Sequence, residues 1–199
     1  MRIETSNRDK FVKLPEEKDV PATGRRSIKI ALLGNKGSGK TKLAQGFQTN
    51  SFAEAPSEIE EDSPAEPVFK GARSIGKIIL DIEIVEVLSK SDSNPSSSQD
   101  GLKEADVVLF CLPVDQKNDV GCLAEWVDQV KAFSTEKKAP LMCLVSTKCD
   151  LRQDCEDAQM LSKEELDLAS REHSLASTFE TSAKEWRAFS VHQALQGAA

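Results

Sequence analysis

Gly34-Asn35-Lys36-Gly37-Ser38-Gly39-Lys40-Thr41 fits the spacing G-x-x-x-x-G-K-[ST] at every fixed position. Each residue type has a chemical reason. Gly34, Gly37 and Gly39 let the backbone curl without side chains in the way, so successive N–H groups, those of Asn35, Lys36 and Ser38 among them, point at phosphate oxygens. Lys40 brings a point charge to the β- and γ-phosphates, and the Thr41 hydroxyl is a ligand for Mg2+. The competing reading is a Gly/Lys-rich turn that matches by chance. The elements on either side favour the cradle.

Such a cradle needs a strand leading in and a helix leading out. Ser27-Ile28-Lys29-Ile30-Ala31-Leu32-Leu33 reads as a buried strand. Residues 42–49 read as a short helix with Leu43, Ala44 and Phe47 on one side, and its N-terminus adds a dipole that favours an anion. Further strands are expected over residues 68–75 and 77–87, where Leu80, Ile82 and Ile84 alternate with Asp81, Glu83 and Val85. Residues 105–113, 140–146 and 177–180 read as three more strands, the first two buried. Leu123, Trp126, Val127 and Val130 recur at helical spacing and predict a helix over 120–133, with Trp126 as core. Ser162 and Glu165 form a capping box that opens a helix through about His173, with Leu166 and Ala169 inward. A last, short helix is expected from Trp186, carrying Ala188, Val191 and Leu195 on one face. Strands alternating with helices predict an α/β fold: a mostly parallel six-stranded sheet with helices on both faces.

The intervening stretches are of a different kind. Residues 1–26 are charged and aperiodic and read as a flexible N-terminal extension to a domain over 27–199. Residues 53–67 hold six carboxylates and three prolines and read as a mobile acidic loop. Residues 89–99, rich in Ser, Asp and Asn, are expected to be disordered.

The chain is acidic, with 26 Lys+Arg against 33 Asp+Glu and a net charge of −7 over 199 residues. That balance argues against nucleic acid and anionic membranes as partners. No apolar run approaches the roughly 18–20 residues of a membrane span, and no secretory signal opens the chain. Cys111, Cys122, Cys143, Cys149 and Cys155 are scattered, and with His173 and His192 they form no zinc spacing. They read as reduced thiols, mostly in core strands, which points to a reducing compartment and a cytoplasmic protein.

Two more short motifs follow strands, at the carboxyl ends where open α/β sheets bind ligands. They are Thr147-Lys148-Cys149-Asp150 and Thr181-Ser182-Ala183-Lys184. With the phosphate loop before them, the chain resembles the Ras superfamily of small GTPases over about residues 27–195, and Ser162 to Lys184 looks most like the Ras and Rab branches. The resemblance implies the P-loop NTPase fold, GTP/GDP and Mg2+ as ligands, and protein effectors or regulators as partners of a monomer. It implies that Asp150 accepts hydrogen bonds from guanine, that the Lys148 stem lies along the base, and that a backbone N–H at Ala183 contacts it. It also implies that Phe52 stacks edge-on against the base.

Other positions depart from the family. No Thr lies between Asn50 and Gly71 to close onto Mg2+ and the γ-phosphate. Strand alternation aligns Glu86-Val87-Leu88-Ser89-Lys90 with the D-x-x-G-Q motif. Glu86 then holds a Mg2+ water, Ser89 replaces the Gly, and Lys90 replaces the Gln that orients the attacking water. The Ser-rich stretch beyond lacks the apolar positions of the usual switch helix. No lipid anchor is expected, since no cysteine closes the chain and Arg2 follows Met1. These features imply an atypical small GTPase with slow or absent hydrolysis, acting in signalling or trafficking. The alternative is a pseudo-GTPase scaffold. A nucleotide kinase would share the phosphate loop but has no reason to carry the two later motifs.

Overall fold

A computed structural model of the chain describes residues 24–49, 68–75, 77–88, 98–134, 139–153 and 160–184. Six strands form one sheet: β1 (Gly24–Gly34), β2 (Val68–Ile75), β3 (Ile78–Leu88), β4 (Val107–Pro113), β5 (Leu141–Thr147) and β6 (Ser177–Glu180). Their order across the sheet is β2-β3-β1-β4-β5-β6. Only β2 and β3 are antiparallel; every other pair is parallel. Four α-helices are described: α1 (Lys40–Thr49), α2 (Ser98–Lys103), α3 (Leu123–Phe133) and α4 (Lys163–Glu172). This is the α/β architecture expected from the alternation of elements.

Strand periodicity divides the core between the two faces. Ala31 and Leu33 of β1, with Val108, Phe110 and Leu112 of β4, join Trp126, Val127 and Val130 of α3 and Leu166 of α4. Ile30 and Leu32, with Val107, Leu109 and Cys111, join Leu43, Ala44 and Phe47 of α1 on the opposite face. Trp126 is 1% exposed and stacks on Phe110 with ring centroids 6.5 Å apart. Such a pair contributes about 0.5–1.5 kcal/mol beyond its area. Its role is core, as its helical spacing indicated.

Four features differ most from the sequence expectation. β1 begins at Gly24 rather than Ser27, because Gly24, Arg25 and Arg26 pair with Ile78, Ile79 and Leu80; backbone pairing extends where apolar alternation has stopped. The helix expected over 120–133 is two pieces, a 3-10 helix at Lys117–Cys122 and α3 after it. A short helix, α2, begins at Ser98, inside the stretch read as disordered, and buries Leu102 at 2% exposure. Of four described cysteines, Cys111 and Cys143 lie in core strands, while Cys122 and Cys149 lie in 3-10 helices. The capping box is as read: Ser162 Oγ accepts from the Glu165 N–H and Glu165 Oε2 from the Ser162 N–H, before α4. Residues 1–23, the acidic loop, Phe52, Ser89, Lys90 and the helix expected from Trp186 lie outside the described residues.

Topology sets where the site falls. β1 lies inside the sheet, with β3 on one side and β4 on the other, so the connections diverge at its carboxyl end. That is where open α/β sheets leave a crevice, and the phosphate-loop sequence begins there.

Candidate functional site

The loop between β1 and α1 has the backbone its glycines predict. Gly37 and Gly39 take φ values of +81° and +88°, a left-handed region that strains any residue with a Cβ. Gly34 is held by space instead, since a Cβ there would meet the Cys111 carbonyl oxygen at 2.6 Å and Ser38 Oγ at 2.9 Å. α1 then opens with Lys40, Thr41 and Lys42 and has no acid in its first turn. Cations at a helix N-terminus oppose its dipole. The arrangement weakens an isolated helix and suits an anion seated at its end.

Lys40 is 4% exposed. Its Nζ curls back over its own loop, donating to the Gly34 carbonyl at 2.7 Å, the Asn35 carbonyl at 2.9 Å and Ser38 Oγ at 3.4 Å. A buried ammonium needs such acceptors, and they keep its charge inside the cradle. Lys36, beside it, is exposed.

Glu86 enters from β3. Its parallel partner is Leu32 of β1, which brings its side chain to the start of α1. Thr41 Oγ1 donates to Glu86 Oε2 at 2.9 Å. The other carboxylate oxygen, Oε1, is buried with no hydrogen-bond partner. Burial pushes the Glu86 carboxyl above the usual carboxylate range, against the Thr41 hydrogen bond and the Lys40 charge, which pull it down. An orphaned anionic oxygen beside a hydroxyl is a donor set that fits a hard divalent cation. No group of three or more His, Cys, Asp or Glu side chains is placed to hold a metal among the described residues. The residues therefore fit an ion held by few side chains together with phosphate and water, the habit of Mg2+.

The two later motifs converge on the same loop. Thr147 Oγ1 donates to the Ser38 carbonyl at 2.6 Å, a buried bond across 109 residues of sequence. The Thr181 N–H donates to the Ser146 carbonyl at 2.8 Å, and the Cys149 N–H to the Thr181 carbonyl at 3.2 Å. Ser182 Oγ donates to Asp150 Oδ1 at 2.6 Å, leaving Oδ2 as an acceptor. Arg152 pairs with Glu180 and also donates to the Leu161 carbonyl, clamping the start of the second motif to the end of the first. Between loop and motifs lies a cavity of about 220 Å³. Gly39, Lys42 and Leu43 line it on one side, and Lys148, Asp150, Thr181, Ala183 and Lys184 on the other.

The structure thus brings together the phosphate loop, Thr41 with Glu86, and the segments 147–150 and 181–184. Three residues of this site escaped the sequence reading: Asp115, which grips Lys148, and Arg152 and Glu180. No local signal marked them, because the fold alone brings each pair together.

The two core-strand cysteines add no reactive group. Burial pushes the Cys111 thiol up to about 12 and the Cys143 thiol up to about 11, so neither is a nucleophile at neutral pH. No helix among the described residues is long and apolar enough to cross a membrane.

Comparison with known proteins agrees with this geometry. A family model described as the Ras family matches residues 29–198. The Rho-related GTP-binding protein RhoF of Bos taurus is 27% identical over 153 residues, covering 74% of this chain and 65% of its own length. RhoF of Homo sapiens is also 27% identical over 153 residues, covering 74% of this chain and 66% of its own. The Mitochondrial Rho GTPase 2 of Arabidopsis thaliana is 29% identical over 140 residues, 70% of this chain but 20% of its own length. The chain therefore spans just under two thirds of the RhoF proteins. These relatives carry Rho names, and the family model that matches is that of the Ras family.

Proposed function

The chain belongs to the Ras family, and from that premise we propose that it is a guanine-nucleotide-binding regulator with slow or absent intrinsic GTP hydrolysis. The observation that carries this reading is the bond from Thr147 to the Ser38 carbonyl. It joins the segment suited to a base to the segment suited to phosphates around one cavity. An adenine or nucleotide-kinase site has no reason to carry the segments Thr147 to Asp150 and Thr181 to Lys184 that this bond helps to place.

In this reading the loop N–H groups of residues 35–39 bind the α- and β-phosphates, and the Lys40 ammonium reaches the β- and γ-phosphates. Asp150, steadied by Ser182, accepts from the base, and Ala183 offers its backbone N–H. Thr41, and Glu86 through a water, would hold Mg2+, which when bound would offset the charge of the phosphates. Hydrolysis in this class rests on positioning and electrostatic stabilisation. With Lys90 in place of the water-orienting Gln, and no Thr between Asn50 and Gly71, that positioning is weak. A partner protein would then supply the missing groups. The cytoplasm, where thiols stay reduced, suits such a regulator.

The second reading is a pseudo-GTPase scaffold in which nucleotide is structural or absent. The same missing Thr and Gln favour it. Extracting the purified protein for bound nucleotide, followed by titration with a fluorescent GDP analogue and single-turnover GTP hydrolysis, separates the two. The proposal expects GDP or GTP in the extract, binding below micromolar, and hydrolysis slower than in a relative that has the Gln. No bound nucleotide and no binding at micromolar concentration would overturn it.

A further inference from the structure

Lys148 is gripped by a carboxylate that belongs to none of the three motifs. Its Nζ lies 3.0 and 3.2 Å from the two oxygens of Asp115. The pair is half-buried, with side-chain exposures of 32% and 34%. Asp115 is delivered there by the sheet. The last β4/β5 pair is Pro113 with Thr147. Beyond it the Val114 N–H donates to the Thr147 carbonyl at 3.0 Å, and the Val114 carbonyl accepts from the Leu161 N–H at 2.9 Å. The ladder so runs on past the strand and sets Asp115 against Lys148.

Two further observations bear on the pair. Lys148 has a φ of +59°, a conformation that a residue with a side chain holds only when its surroundings fix it. Three lysines, Lys42, Lys148 and Lys184, line the cavity together with one carboxylate, Asp150. Like charges around one small space repel each other. Asp115 removes one of them from that balance and draws its ammonium to the rim. The Lys148 methylenes are then left as a wall of the cavity.

We propose that Asp115 is a positioning residue for the base slot. By holding the Lys148 ammonium at the rim, it presents the Lys148 stem as a preformed surface for the base and slows nucleotide release. The inference rests on the guanine-nucleotide reading above. Because the pair is partly exposed, its contribution weakens with salt.

The test is a double-mutant cycle on the dissociation rate of a fluorescent GDP analogue, with thermal melts alongside. Asp115→Asn should speed release about three- to fivefold at low salt, the range of a half-exposed ion pair, and by less at high salt. In a Lys148→Met background, which keeps the stem but not the charge, Asp115→Asn should change the rate little. Asp115→Glu should restore most of the slow release. Wild-type chain that binds the analogue while Asp115→Asn releases it at the wild-type rate would overturn the inference and leave the nucleotide reading standing. Equal acceleration in both backgrounds, or an Asp115→Asn chain that no longer melts cooperatively, would assign Asp115 a structural role and overturn it too. Wild-type chain that binds no analogue would overturn both.

Discussion

The hydroxyl of Thr147 donates to the carbonyl of Ser38 at 2.6 Å, so the end of β5 and the middle of the phosphate loop share one wall. Thr147→Val keeps the shape and removes the donor, leaving a buried carbonyl short of a partner. The expected cost is about 1–3 kcal/mol, or roughly 2–12 °C in melting temperature for a chain of this size. Nucleotide release should quicken as the loop loosens. Thr147→Ser keeps the donor and should retain both properties. Unchanged melting and release in Thr147→Val would detach Thr147 from the site.

Gly34 is predicted to tolerate no side chain. In Gly34→Ala the new methyl would meet the Cys111 carbonyl oxygen, a backbone atom that cannot swing aside. The loop or β4 must shift, at about 1–3 kcal/mol. Calorimetry should show a lower melting temperature. Guanine-nucleotide affinity should fall as well, since the displaced loop is the cradle itself.

Lys40 and Asp150 divide the ligand between them and should fail differently. Lys40→Ala removes the buried ammonium of the cradle and should abolish binding of every nucleotide. Asp150→Asn should preserve phosphate binding and move preference from guanine to xanthine nucleotides, because the partner of the base N–H changes. Competition between GTP and XTP for a fluorescent analogue measures this. Retained guanine selectivity would refute the assignment of Asp150 to the base.

Glu86 yields a pH prediction. Its carboxyl is raised in the folded protein because burial disfavours the charge. A raised acid binds its proton more tightly when folded, so its contribution to stability is complete below the unfolded pKa. That contribution is lost as pH rises through the folded pKa. Nucleotide-free protein should therefore melt higher on mild acidification within the carboxylate range, apart from other titrations. Glu86→Gln should flatten that dependence and raise the melting temperature at neutral pH. The same substitution should weaken Mg2+-dependent nucleotide retention roughly tenfold. Stability that falls in Glu86→Gln at neutral pH would show that the charge is compensated in place.

The sequence was most informative where local rules coincide with function. The phosphate loop combines glycine conformations, a buried strand and a helix start, and each has a signature within a few residues. Leu43, Ala44 and Phe47 were legible as one buried face for the same reason. What the sequence did not disclose are pairs made by the sheet register. Nothing local connects Asp115 with Lys148 or Arg152 with Glu180; adjacency of β4, β5 and β6 does. α2 was missed because six residues are too few for a helical period, and Leu102 stands just past the Ser-rich run that dominated the reading. For Thr147, only the fold shows that its hydroxyl reaches the Ser38 carbonyl.

The place of β1 has a consequence for synthesis on the ribosome. β1 emerges before every other described strand, yet it sits in the interior of the sheet and needs β3 on one side and β4 on the other. Its apolar run Ile30-Ala31-Leu32-Leu33 is fully enclosed in the finished sheet. While the chain is being translated, that run has no partner until the β3 segment ending at Leu88 appears. It has no second partner until β4 follows, completed at Pro113. Late-closing parallel pairs fold slowly and leave sticky segments open. During the interval between β1 and β4 the half-made chain thus exposes an apolar run that the finished sheet encloses.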